Sequence, residues 1–177
     1  MEMMELLGRY VPDTPVYAKI RAGRDVREEA VKLARMGVKC IIIEGSLSLE
    51  EDVDVPIALS QVNDALVKGI NSQTGNILRN EVKIAVRTKI RNPRDIFALN
   101  CLGADAAICN PGELIAGSSY ARQLSLVLGM RAEIGTLMGA AGLSMMNSVI
   151  GNRGILRADH YVPKEIAELL GVDFIGT

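Results

Sequence analysis

Cationic side chains gather at two places where an apolar string gives way to a loop. Lys19 stands near the end of the string at 15–20, PVYAKI, and Arg87, Thr88 and Lys89 end the string that begins at Lys83, followed at once by Arg91 and Arg94. Guanidinium and ammonium groups bind phosphates and carboxylates through charge-assisted hydrogen bonds, so this spacing could hold a small anion by side chains alone. The bland alternative is a solvated rim, partly paired with Asp95 and Asp105, whose charges contribute little. Lys19 carries the same choice between an anion contact and a solvated strand-end cation. Other reactive types are sparser. Glu44 ends an apolar string and could act as a base. His160, the single histidine, lies between Asp159 and Tyr161 with no serine or cysteine that the sequence places beside it, and is read as structural. Cys109 would be a nucleophile only with a lowered pKa, which the nearby Glu113 opposes.

The elements that position these groups are legible from punctuation. Residues 83–117 read as two consecutive βα units. In each, Asn precedes Pro and an acid follows: Asn92, Pro93 and Asp95, then Asn110, Pro111 and Glu113. Asn caps, Pro fits the first helical position, and the acid faces the positive helix end. Further upstream, the apolar positions Val26, Ala30, Leu33 and Ala34 mark one helical face, with Asp25 and Glu28 as a capping pair. The string at 39–45, KCIIIEG, is a buried strand. Ala58, Val62, Ala65, Leu66 and Gly69 mark a second amphipathic helix, and 71–81 reads as a polar connection to the strand at Lys83. Strands near 15, 39, 83 and 105, each followed by a helix, give four βα units whose right-handed crossovers make a parallel sheet. The similarity of GRDV at 23–26 to PRDI at 93–96 adds a weak internal repeat.

The expected fold class is therefore α/β: a parallel half-barrel of four βα units over 14–117, related to a (β/α)8 TIM barrel, with a helical C-terminal extension over 118–177, all in a single domain. In such a fold the loops at the carboxyl ends of the strands carry the ligand site. The extension offers a long helix over 120–142 and a shorter one over 163–171, which could close the sheet or bind another subunit. A short parallel sheet has two unpaired edges, which argues for an oligomer or a companion subunit.

Composition bounds the partners. A chain of 177 residues with 49% hydrophobic content has ample core material, and its net charge of −1 gives no bulk attraction to nucleic acid or an anionic membrane. Aromatic residues are 3%, so base-stacking surfaces are not expected. The cysteines Cys40, Cys101 and Cys109 form no CxxC pair, so neither a metal nor an iron–sulfur cluster is expected, and reduced thiols with an acidic, non-signal N-terminus fit the cytoplasm. The uncharged stretch at 134–150 approaches the length of a membrane span, but its Gly, Ser, Thr and Asn content argues against one. The Gly135 and Gly139 pair is read as a site of tight helix packing.

From about Thr14 to Gly117 the strings PVYAKI, GVKCIIIEG, KIAVRT, IRNPRD, LGADAAIC and NPGELIAG resemble the second half of the FMN-binding barrel of glutamate synthase and its archaeal relatives. The interval between the RD pair and the GAD triplet is the one found in that family. The resemblance implies descent from a flavin-binding barrel, with FMN contacts at the positions of Lys19, Arg87, Thr88, Lys89, Asn110 and Gly112. The departures are equally specific. Arg87, Thr88 and Lys89 replace the family's glycine pair, and Cys109, Asn110 and Pro111 replace its glycine-containing phosphate loop; side chains and a proline obstruct the approach of backbone amides to a phosphate. The iron–sulfur cysteines and the first four barrel strands have no counterpart. Two functions follow: an FMN-domain subunit of a glutamate-synthase-like oxidoreductase completed by a second chain or copy, or a noncatalytic assembly or regulatory protein derived from that domain, without flavin.

Overall fold

A computed structural model describes residues 15–45, 55–108 and 119–176. Strands β1 (Tyr17–Arg21), β2 (Cys40–Glu44), β3 (Lys83–Arg87) and β4 (Ala106–Ile108) form one sheet in the order β1-β2-β3-β4, every pair parallel. Helices α1 (Val26–Arg35), α2 (Val55–Lys68) and α4 (Pro93–Leu102) connect them, with a short helix α3 (Leu78–Glu81) before β3. The expected parallel half-barrel is what the chain forms. Sequential strand order with helical crossovers is the arrangement of consecutive units of a (β/α)8 barrel.

Period-two alternation decides which side chains meet the helices. Ile20, Ile41, Ile43, Ile84 and Val86 point into the helical layer and are buried with Val26, Ala30, Ala58, Leu59, Val62 and Leu66. Burying each of the larger aliphatic side chains stabilises the fold by about 1.5–3 kcal/mol relative to leaving it in water. The other face carries Tyr17, Lys19, Arg21, Lys83, Arg87 and Ile108, all exposed, around the half-buried Cys40 and Ile42. Among the described residues, β1 and β4 each keep one unpaired edge.

Several local expectations need correction. Asp25 makes no capping bond; the start of α1 is set by the Gly23 carbonyl, which accepts from Val26 N at 3.4 Å. The first strand runs one residue beyond Ile20, to Arg21, because it is paired residue for residue with β2 up to Glu44. The connection at 71–81 is not irregular throughout. It folds around Glu81, whose carboxylate accepts from Asn71, Thr74 and Asn76, and that network shapes the turn of α3.

The C-terminal extension holds the long helix α5 (Tyr120–Ala140), two 3-10 turns (Met146–Ser148 and Arg153–Ile155) and α6 (Lys164–Leu170). Its helices pack on the helical layer: α5 lies against α4, and α6 lies against α2. Ser60 Oγ donates to the Leu169 and Leu170 carbonyls, and Arg153 grips Asp64 with Nη1 at 3.1 Å and Nη2 at 2.6 Å. Gly135 and Gly139, read as a site of tight helix packing, have no other group of the described residues within 4 Å of an added Cβ. No described helix is long and apolar enough to cross a membrane.

Candidate functional site

Strand register assembles a cationic row that the linear sequence hides. Arg21, Glu44, Arg87 and Ile108 are lateral neighbours across all four strands, at the carboxyl edge of the open face. Lys19 stands two residues earlier on β1 and points to the same face, as its opposition to the buried Ile20 requires. Glu44 sits at the centre. Its Oε1 lies 2.9 Å from Lys19 Nζ and its Oε2 lies 3.9 Å from Arg87 Nη1. The row thus sets Lys19, Arg21 and Arg87 around a single carboxylate and keeps an excess of positive charge.

That charge acts on Glu44. The hydrogen bond from Lys19 holds its carboxyl below the usual glutamate range; burial opposes it, and the fields of Lys19, Arg87 and Arg21 add to the lowering. The ion pair is therefore present above the ordinary glutamate range and is lost as pH falls through the lowered folded-state value. In a Lys19→Met variant, the Glu44 side-chain carboxyl resonance, followed by NMR across a pH titration, is expected to move its midpoint upward, toward that of a free glutamate. An unchanged midpoint would show that the pair does not form in solution.

The next part of the candidate site is the loop between β3 and α4. Thr88, Lys89 and Arg91 lie here, with Ile90 buried beneath them as the anchor. The loop ends in a capping box: Asn92 Oδ1 accepts from Asp95 N at 3.1 Å, while the Asp95 carboxylate accepts from Arg91 N at 2.8 Å and Asn92 N at 3.3 Å. These bonds engage the amides of Arg91, Asn92 and Asp95, and Pro93 has none to offer, which leaves the start of α4 poor in amides for a phosphate. The residues present consequently fit an anion held by side chains, and do not fit a phosphate cradled by the first turn of α4.

Of the sequence-derived site residues, Lys19 and Arg87 converge on one carboxylate, and Thr88 and Lys89 continue from Arg87 into the adjoining loop. Asn110 and Gly112 lie outside the described residues, as do Cys109 and Glu113. The suggested pairing of the loop cations with Asp105 does not occur, because Asp105 precedes its strand and lies at the amino edge of the sheet, paired with Arg79 and Lys83. Arg94 pairs with Glu133 of α5 instead. Sequence reasoning missed Arg21, although the alternation Tyr17, Lys19, Arg21 was a usable signal, and it undervalued Glu44. His160, read as structural, is exposed, paired with Asp159 and beside Tyr161 with ring centroids 3.9 Å apart and planes tilted by 41°. Cys101 is buried and its thiol is pushed up to about 11, and Cys40, on the open face, is also raised by burial. Neither has the lowered pKa of a nucleophile. Among the described residues no cluster of His, Cys, Asp and Glu could hold a metal ion.

Comparison with known proteins places this geometry. No family model matches the chain. The archaeal glutamate synthase (NADPH) of Methanocaldococcus jannaschii is 27% identical over 203 aligned positions, which cover 92% of this chain and 38% of the relative. Among solved structures, a flavocytochrome b2 mutant with pyruvate bound superposes with a TM-score of 0.60 at 19% identity, covering 85% of this chain and 36% of that one. Mandelate oxidase with (S)-2-phenylpropionate gives 0.58 at 20% identity, covering 85% and 41%. The chain thus spans well under half the length of these proteins. Its four parallel strands and helices share the barrel fold of a flavocytochrome and an oxidase, and its sequence is similar to archaeal glutamate synthase.

Proposed function

We propose that this chain supplies half of a flavin-binding barrel of the glutamate-synthase kind, in the cytoplasm, and that a companion subunit or a second copy supplies the remaining strands. The observation that carries the reading is the sheet itself: among the described residues, two unpaired edges flank a face whose carboxyl rim gathers Lys19, Arg21 and Arg87 around Glu44. A barrel interior is normally filled by inward side chains from all its strands, so a four-stranded half with this face uncovered calls for a partner. FMN, when bound, would supply electron transfer. Lys19, Arg87, Thr88 and Lys89, with Asn110 and Gly112 further along the chain, are the residues that would hold its anionic parts.

A second reading has one specific observation in its favour. The capping box of α4 engages the amides of Arg91, Asn92 and Asp95 beside a proline that has none, as expected of a domain retained for assembly or regulation without flavin. Purified protein, alone and mixed with candidate companions, decides between them. The first reading expects a flavin absorption spectrum, or an FMN-induced rise in melting temperature, in the assembled state, together with a solution mass above that of a single chain. Colourless material with no FMN-induced shift in any assembly state would overturn it and leave the noncatalytic reading.

A further inference from the structure

On the flank away from the open sheet face, a groove of about 700 Å³ runs between α4, the start of α2 and the C-terminal segment. Its volume lies within the usual range of small-molecule sites. Leu99, Leu102, Leu156, Ala158, Leu170 and Val172 make an apolar floor, and the rim carries Lys89, Arg91 and Arg157 with Asp95 and Asp159. The two carboxylates are already engaged. Asp95 accepts the amides of Arg91 and Asn92, and Asp159 accepts the amide of His160 and pairs with its ring. The Lys89 and Arg91 side chains, by contrast, have no hydrogen-bonding or ionic partner among the described residues, and both stand at the end of the groove nearest the β3–α4 loop. An apolar trough with two exposed, unpaired cations on its rim matches a ligand with an apolar body and a single anionic head.

We propose that this groove binds an amphipathic organic anion, a medium-chain carboxylate or the corresponding phosphate monoester, with its head on Lys89 and Arg91 and its chain on the floor between α4 and the C-terminal segment. The inference shares Lys89 with the barrel reading, whereas Arg91 and the apolar floor belong to the groove alone and carry its test. Occupancy would tie the C-terminal segment to the loop that follows β3, and the ligand would therefore stabilise the packing of 156–172 on α4.

Binding of hexanoate, octanoate and decanoate to the intact protein, below micelle-forming concentrations, tests the proposal by calorimetry and by methyl NMR. Affinity is expected to rise about fourfold per added methylene while the chain remains on the floor. Methyl shifts should appear at Ala98, Ala158 and Ala167 and not at Ile42 or Ala85 of the sheet face. Decyl phosphate serves as the second arm: tighter binding than decanoate identifies a phosphate head, weaker binding a carboxylate. The variant Arg91→Gln is expected to weaken binding about tenfold or more without changing the melting temperature of the free protein, and Ala98→Phe, at another lining position of the groove, should block the floor. Absence of saturable binding, equal affinity for decanol, or shifts confined to the sheet face would overturn the proposal.

Discussion

Replacing Arg79 with alanine is expected to destabilise the protein by about 3–5 kcal/mol, the range found when one member of a buried ion pair is removed. Arg79 and Asp105 keep only 12% and 14% of their side-chain surface exposed. The guanidinium donates in three directions: Nε to Asn63 Oδ1 at 2.9 Å, Nη1 to the Val82 carbonyl at 2.9 Å, and Nη2 to both the Gly103 carbonyl at 2.9 Å and Asp105 Oδ2 at 2.8 Å. It thereby ties α2, the entry to β3 and the α4–β4 turn into one hub. Alanine would leave the Asp105 charge, two carbonyls and an amide oxygen short of a donor. Lysine should not rescue the loss, because one ammonium cannot satisfy a fork-shaped set of acceptors. Urea denaturation gives the stability directly, and a domain of this size should lose roughly 6–20 °C in melting temperature. In an Asp105→Asn background the same substitution should cost less, since the stranded charge is gone. A loss below about 1 kcal/mol in the wild-type background would show that the hub contributes no more than a surface pair.

The second large effect is expected at Gly103. This residue ends α4 at φ +120°, and its neighbour closes a Schellman-type cap, Ala104 N donating to the Leu99 carbonyl at 3.0 Å while Gly103 N donates to Asn100 at 2.9 Å. A Cβ added here would stand 2.5 Å from Asn63 Cγ and 2.6 Å from its Oδ1, the same oxygen that accepts from Arg79. Gly103→Ala therefore combines an unfavourable backbone conformation with an overpacked contact, and about 2–4 kcal/mol is expected. Gly37→Ala provides the internal control. Gly37 has φ +87° but no described residue within 4 Å of an added Cβ, so only the backbone contribution, about 1–2 kcal/mol, should appear. Equal losses at the two positions, measured by the same denaturation, would refute the steric contribution at Gly103.

How much of this was legible beforehand follows from the range of each interaction. Asn92, Pro93 and Asp95 announced the start of α4 because a capping box is closed within four residues, and the structure contains it as read. Continuous apolar strings bounded by helical periodicity announced β2 and β3 for the same reason. The short α3 was missed because Glu81 organises it through side chains up to ten residues away, within a string whose composition reads as polar loop. Lys19 and Arg87 were identified as cations at strand ends, yet their convergence on Glu44 depends on lateral register, which no residue's own neighbours encode.

The sequence by itself determined the alternation of strand and helix, the parallel half-barrel and the capping of α4, since these arise from local backbone preferences and hydrophobic period. Only the tertiary structure decided that Arg21 joins Lys19 and Arg87 around Glu44, that Asp105 belongs to Arg79 at the opposite edge, and that the C-terminal helices pack on α2 and α4. Those outcomes turn on contacts between residues 20 to 110 positions apart. Their free energy depends on which surfaces meet after the chain has collapsed, and the composition of any single segment is silent on that pairing.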